Sequence, residues 1–184
     1  MLRPSLAGLA LALACALPPP AAAQQPTAAP QRLVAPNGWT PSGNAATGTI
    51  YFRCEAAACV PGSLVSAKRQ PDGPQEPLAA FRANVEQRGA AVLQAGGGAY
   101  RSFKVVTVYA KEVAPLRAQI AVWVISRADG GAEPTALALV SYGQTRFTLV
   151  STGKDEATVR RNIETMLPAP FFLTAPNDAA KGRR

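Results

Sequence analysis

The chain contains no histidine. Imidazole is the usual general base beside a serine or cysteine nucleophile and the commonest metal ligand. Ser-His-Asp triads, Cys-His dyads and His-containing metal sites are therefore excluded. Two Ser-Lys pairs remain for nucleophilic chemistry, Ser66 with Lys68 and Ser102 with Lys104. A lysine serves as base to a serine only if burial lowers its pKa. Both pairs fall in strand-like segments, where residues two apart share a face, and a wet strand face accounts for them more simply. The acidic residues are scattered over turns and helices, so no two stand out as a glycosidase-like acid and base. Gly96-Gly97-Gly98 lacks the Lys-Ser/Thr of a phosphate loop and does not match the dinucleotide fingerprint. Catalysis is thus the less favoured reading, and no cofactor or metal is implied.

Cys15, Cys54 and Cys59 are the three cysteines. Cys15 lies in a segment patterned as a secretory signal peptide over residues 1–23. It has Arg3 at its start, an apolar run over 6–14 and Ala21-Ala22-Ala23 before the expected cleavage. The run is too short for a permanent membrane span, and no other stretch approaches that length. Removal of residues 1–23 leaves Cys54 and Cys59 as an even pair, which in an exported chain favours a disulfide. Closing a loop of about six residues contributes about 2 kcal/mol in the chain-entropy view. A metal site needs more ligands than these two, and a redox pair usually has two intervening residues rather than four. The expected location is the periplasm or the exterior. A lipid-anchored protein built on Cys15 is the alternative, although Ala12-Leu13-Ala14 lacks the usual branched apolar residue three positions before the cysteine.

With 19 Lys and Arg against 11 Asp and Glu, the chain carries a net charge of +8. Arg82 and Arg88 fall on an expected helix, Arg101 and Lys104 at the start of an expected strand, and Gly96-Gly97-Gly98 joins the two. These four are the candidate binding residues, for a shallow basic surface suited to an anionic envelope partner. Four separate solvated charges are the plainer alternative. No interleaved aromatic-basic motif suggests nucleic-acid binding.

The elements that would position these residues follow from periodicity. Residues 49–54 and 64–67 read as strands. Residues 77–88 read as a helix with Leu78, Phe81 and Val85 on one side, Pro77 at its first position and Gly89 as its cap. A four-strand meander follows over 102–110, 120–125, 136–142 and 146–150. In its first strand, alternation puts Phe103, Val105, Thr107 and Tyr109 on one face and Lys104, Val106 and Val108 on the other. Both faces of 120–125 are apolar, which marks an interior strand covered on two sides. Short links imply antiparallel neighbours. A second helix over 155–167 carries Val159, Ile163, Met166 and Leu167 as an apolar stripe, with Arg160, Arg161 and Glu164 facing water. The expected fold is α+β: an antiparallel sheet of about six strands packed with two helices. It forms a single domain over 39–174, after a Pro/Ala/Gln-rich leader at 24–38 and before a disordered basic tail at 175–184.

Residues 143–151, Gly-Gln-Thr-Arg-Phe-Thr-Leu-Val-Ser, lead through Asp155-Glu156 into Arg160-Arg161-Asn162-Ile163-Glu164-Thr165-Met166-Leu167. This final strand, small-polar turn and amphipathic helix, after the order strand, strand, helix, meander, resembles the PsbP/DcrB-like group of exported α/β sandwich domains. That group is varied and mostly non-enzymatic, so the resemblance implies a fold and carries over no functional residue. The leading functional expectation is a non-enzymatic periplasmic or envelope binding or accessory protein. Its partner would be an envelope protein or an anionic surface. The alternatives are a small exported hydrolase or transferase with a Ser/Lys site, and a lipid-anchored envelope component.

Overall fold

The computed structural model describes residues 35–44 and 46–167. The expected signal peptide, Cys15, most of the leader and the basic tail lie outside the described residues. Seven strands and two helices follow in the order β1 (Trp39–Asn44), β2 (Thr49–Cys54), β3 (Leu64–Gln70), α1 (Leu78–Ala95), β4 (Tyr100–Val113), β5 (Leu116–Arg127), β6 (Ala132–Tyr142), β7 (Thr145–Thr152) and α2 (Glu156–Met166). The strands form one sheet in the order β1-β2-β3-β7-β6-β5-β4, antiparallel throughout. The α+β expectation holds, with one strand more than expected.

The extra strand is β1, whose sequence Trp-Thr-Pro-Ser-Gly-Asn shows no apolar alternation. As the sheet's edge it tolerates Pro41, which has no N–H to give to a ladder. Trp39 anchors it, buried on the same side as Phe52 and Cys54 of β2. β6 begins at Ala132, earlier than the sequence suggested, because its first residues pair on one side only and so tolerate Pro134. Pro134 pairs with Val124 of β5, while pairing of β6 with β7 starts only at Thr135.

Each sheet face carries one helix. On the first, Val65, Ala67, Ile120, Val122, Ala138, Val140 and Leu149 meet Val159, Ile163, Met166 and Leu167 of the α2 region, all nearly or fully buried. Asp155 caps α2, its Oδ1 accepting from the Thr158 N–H at 2.7 Å. Asn162 donates to Ser151 Oγ in the interior at 3.1 Å, fixing helix to strand. Glu164 departs from expectation: it is half-buried rather than facing water. It accepts from the Tyr109 hydroxyl at 2.8 Å and pairs with the Lys111 ammonium at 3.0 Å, tying α2 to edge strand β4.

On the second face, Phe81 and Val85 of α1 pack on Val108, Ala121 and Leu137. The helix departs from expectation in three ways. Pro77 is its N-cap rather than its first residue, Leu78 is exposed, and the helix runs through Gly89 to Ala95. Gly89 is not a stop signal. It is buried under the Phe103 ring, which occupies the space a Cβ would need. The helix ends at Gly96, whose N–H bonds to the Val92 carbonyl at 2.9 Å.

Strand β4 departs from simple alternation. Register shifts lie between Tyr100 and Ser102 and between Val105 and Thr107. A bulge inserts one residue and flips everything beyond it. Phe103, Val105 and Val108 therefore join the α1 side, while Tyr109 and Val113 join the α2 side. β5 is apolar on both faces and interior, as its pattern implied.

Candidate binding groove beside helix α1

An 18-residue helix lying on a sheet needs an apolar face along its length to seal against it. In α1 only Phe81, Val85 and Gly89 are buried. In its second half the Phe103 ring fills the place a Cβ at Gly89 would take, and Ala91 beyond it is too small to fill the space at its side. A cavity of about 450 Å³ opens there between α1 and strands β4–β7. Its helix wall is Val85, Gly89, Ala91 and Val92. Its floor is Phe103, Trp123, Ile125, Thr135, Leu137 and Val150. Phe103 and Trp123 stand with ring centroids 5.7 Å apart. Arg88 is the one charged residue on this lining.

Arg88, Val85 and Leu137 also line a second, more polar hollow of about 170 Å³ toward the start of the helix. Its polar side chains come from Gln70, Glu76, Asn84, Arg146 and Thr148. This end is tightly held. Arg146 donates to the Pro71 carbonyl through Nε and Nη2 at 3.0 and 2.9 Å, and to the Pro74 carbonyl through Nη1 at 3.3 Å. Gln119 Nε2 donates to the Glu76 carbonyl at 2.7 Å, and Asn84 Nδ2 to the Glu76 carboxylate at 2.6 Å. The segment before α1 is thus clamped from the sheet below. Sequence reading missed Gln119 and Arg146 as positioning residues. The available signal was Gln119 directly before the apolar run over 120–125.

The four basic candidates occupy separate places. Arg82 and Arg88 are six residues apart on α1, roughly 120° around the helix at about 100° per residue, and only Arg88 lines the groove. Arg101 is exposed at the first β4 bulge. Lys104 alternates with Phe103 and Val105, so it stands on the α2 side of the sheet. Among the described residues Arg88 has no carboxylate partner. Of the Ser-Lys pairs, Lys68, Lys104 and Ser102 are exposed and Ser66 is half-buried.

Cys54 and Cys59 form a disulfide. It closes the turn after β2, and Cys59 packs against Gly38 just before Trp39. Among the described residues no group of three Asp, Glu, Cys or His side chains could hold a metal ion. No helix among them is long and apolar enough to cross a membrane.

No family model and no curated protein matches this chain. Solved structures do. Cyanobacterial PsbP (CyanoP) from Synechocystis sp. PCC 6803 is 15% identical over 72% of this chain and 81% of its own, with a TM-score of 0.49. A protein of unknown function from Pseudomonas aeruginosa is 12% identical over 72% of this chain and 98% of its own, with a TM-score of 0.43. Likeness at these identities concerns the fold alone.

Proposed function

We propose that this chain is an exported, non-enzymatic binding or accessory protein of the cell envelope, and that its binding site is the groove beside α1. The observation carrying this reading is the cavity of about 450 Å³, lined by apolar and aromatic side chains with a single charge. Its size and composition are those of small-molecule sites, which are concave, mostly apolar and oriented by a few polar groups. Export is supported by the Cys54–Cys59 disulfide, a bond that persists in oxidising compartments.

A neutral fluorescent probe, N-phenyl-1-naphthylamine, tests the groove. Wild type gives a saturable one-site rise in emission. Val92→Trp, which puts an indole at an exposed position on the cavity wall, removes it without lowering the melting temperature. An unchanged signal in that variant overturns the assignment. Export is tested by the intact mass of secreted protein, which begins at Gln24. A diacylglyceryl-modified Cys15 terminus would instead establish the anchored form.

A further inference from the structure

We propose that the groove takes a single-chain carboxylate amphiphile, with its alkyl chain in the apolar cavity and its head on the Arg88 guanidinium. This deepens the reading above and rests on it. Charge complementarity selects the ligand class. Arg88 is the one ionisable side chain lining the apolar cavity, and among the described residues no carboxylate neutralises it. It also lines the polar hollow, so it stands where the apolar trough turns hydrophilic. An amphiphile has the same two-part character. A guanidinium suits a carboxylate because its planar fork can bind both oxygens at once. Glu76, the acid of the polar hollow, already accepts from Asn84 at 2.6 Å, and it does not line the apolar cavity. The second hollow holds about 170 Å³, enough for a compact head but not for a second chain of the length the main cavity accepts.

Three ten-carbon probes separate the head from the chain: decanoate, decanol and decyltrimethylammonium, all used below micelle formation. Each competes with the neutral naphthylamine. Trp123 emission reports occupancy directly in a Trp39→Phe background, since these are the two tryptophans of the chain. Decanoate is expected to compete about tenfold better than decanol, the worth of one charge-assisted bond. Arg88→Gln brings decanoate to the level of decanol. Arg82→Gln makes the same charge change on the other flank of α1 and leaves the preference intact. Equal competition by decanoate and decanol, or preference for the ammonium probe, overturns the anionic head while the groove stands as an apolar site. Loss of the preference in Arg82→Gln as fully as in Arg88→Gln assigns it to net charge and also overturns the proposal. If the neutral probe does not bind wild type, the groove itself fails, and this inference with it.

Discussion

On one face of the sheet the 11-residue helix α2 buries five of its residues, Thr158, Val159, Asn162, Ile163 and Met166, and Leu167 follows them inward. On the other face the 18-residue helix α1 buries three. The shorter helix has a capping aspartate, an acid in its first turn and an internal hydrogen bond to the sheet. The longer has no side-chain cap and no acid in its first turn. A fully buried large aliphatic side chain contributes about 1.5–3 kcal/mol, so the α2 face holds most of the stabilisation. The α1 face has half-buried apolar residues and open volume. A fold that is secure on one side can leave the other imperfectly sealed, and that is where a ligand site can form at little cost to stability.

The hardest test of this division is a charge on each face. Ile163→Asp buries an unpaired carboxylate under α2 and is expected to cost on the order of 4 kcal/mol or more, a severe loss for a domain of this size. Arg161→Ala, exposed on the same helix, should be nearly silent in urea melts. Val92→Asp, on the cavity wall, should cost under about 1 kcal/mol because the site is already open to water. If Val92→Asp and Ile163→Asp melt alike, the two faces are not built differently.

Breaking the disulfide probes a third region, the edge at β1 and β2. Its short loop stabilises by about 2 kcal/mol in the chain-entropy view. Cys54→Ser/Cys59→Ser should lower stability by that amount and leave naphthylamine binding unchanged, since neither cysteine lines the groove. A binding defect equal to the stability defect would connect regions that the structure keeps apart.

Gly89 sharpens the comparison within α1. Helix propensity favours alanine over glycine by about 1 kcal/mol at an interior position, but a Cβ at residue 89 meets the Phe103 ring. Overpacking typically costs about 1–3 kcal/mol, so Gly89→Ala should be net destabilising. Gly89→Ala combined with Phe103→Ala should cost less than the two changes summed, by at least 0.5 kcal/mol in order of magnitude. Strict additivity would mean that Gly89 and Phe103 do not constrain each other.

That glycine also marks where sequence reasoning ran out. Periodicity found both helices, the meander and the α2 stripe because those signals are local. A glycine after an apolar repeat looks the same whether it ends a helix or lets a ring from a distant strand come close. The bulge at Val105–Thr107 was hidden for a related reason: every residue there suits a strand, and only pairing with β5 shows the parity change. β1 escaped because an edge strand does not need alternation. The groove was the least legible feature. Phe103, Trp123, Ile125, Leu137 and Val150 read as core residues. The space between them depends on how α1 passes overhead, with Gly89 letting the Phe103 ring come close and Ala91 too small to fill the room beside it. Periodicity places Arg88 with Arg82 on or near the wet side of the helix, and it does not show that only Arg88 of the two borders the groove.

The smallest expected effect concerns pH, and it returns to the contrast between the helices. Bonding of the Asp155 carboxylate to the Thr158 N–H lowers its pKa below the usual value. Burial pushes the Glu164 carboxyl up, but its bonds to the Lys111 ammonium and the Tyr109 hydroxyl outweigh that and leave it lowered. A carboxylate whose folded pKa lies below its unfolded value contributes stability above the unfolded pKa. That contribution is lost as pH falls through the folded pKa. Both groups belong to α2 and its contacts, and no comparable acid starts α1. Acidification below about pH 4, the ordinary carboxylate range, should therefore loosen α2 while α1 contributes little to the change. Asp155→Asn/Glu164→Gln should flatten the acid limb of the stability curve and lower its neutral plateau slightly. Hydrogen exchange read along the chain assigns the loss. If amides of α1 lose protection before those of α2 as the pH drops from 5 to 3, these two carboxylates do not control the acid response.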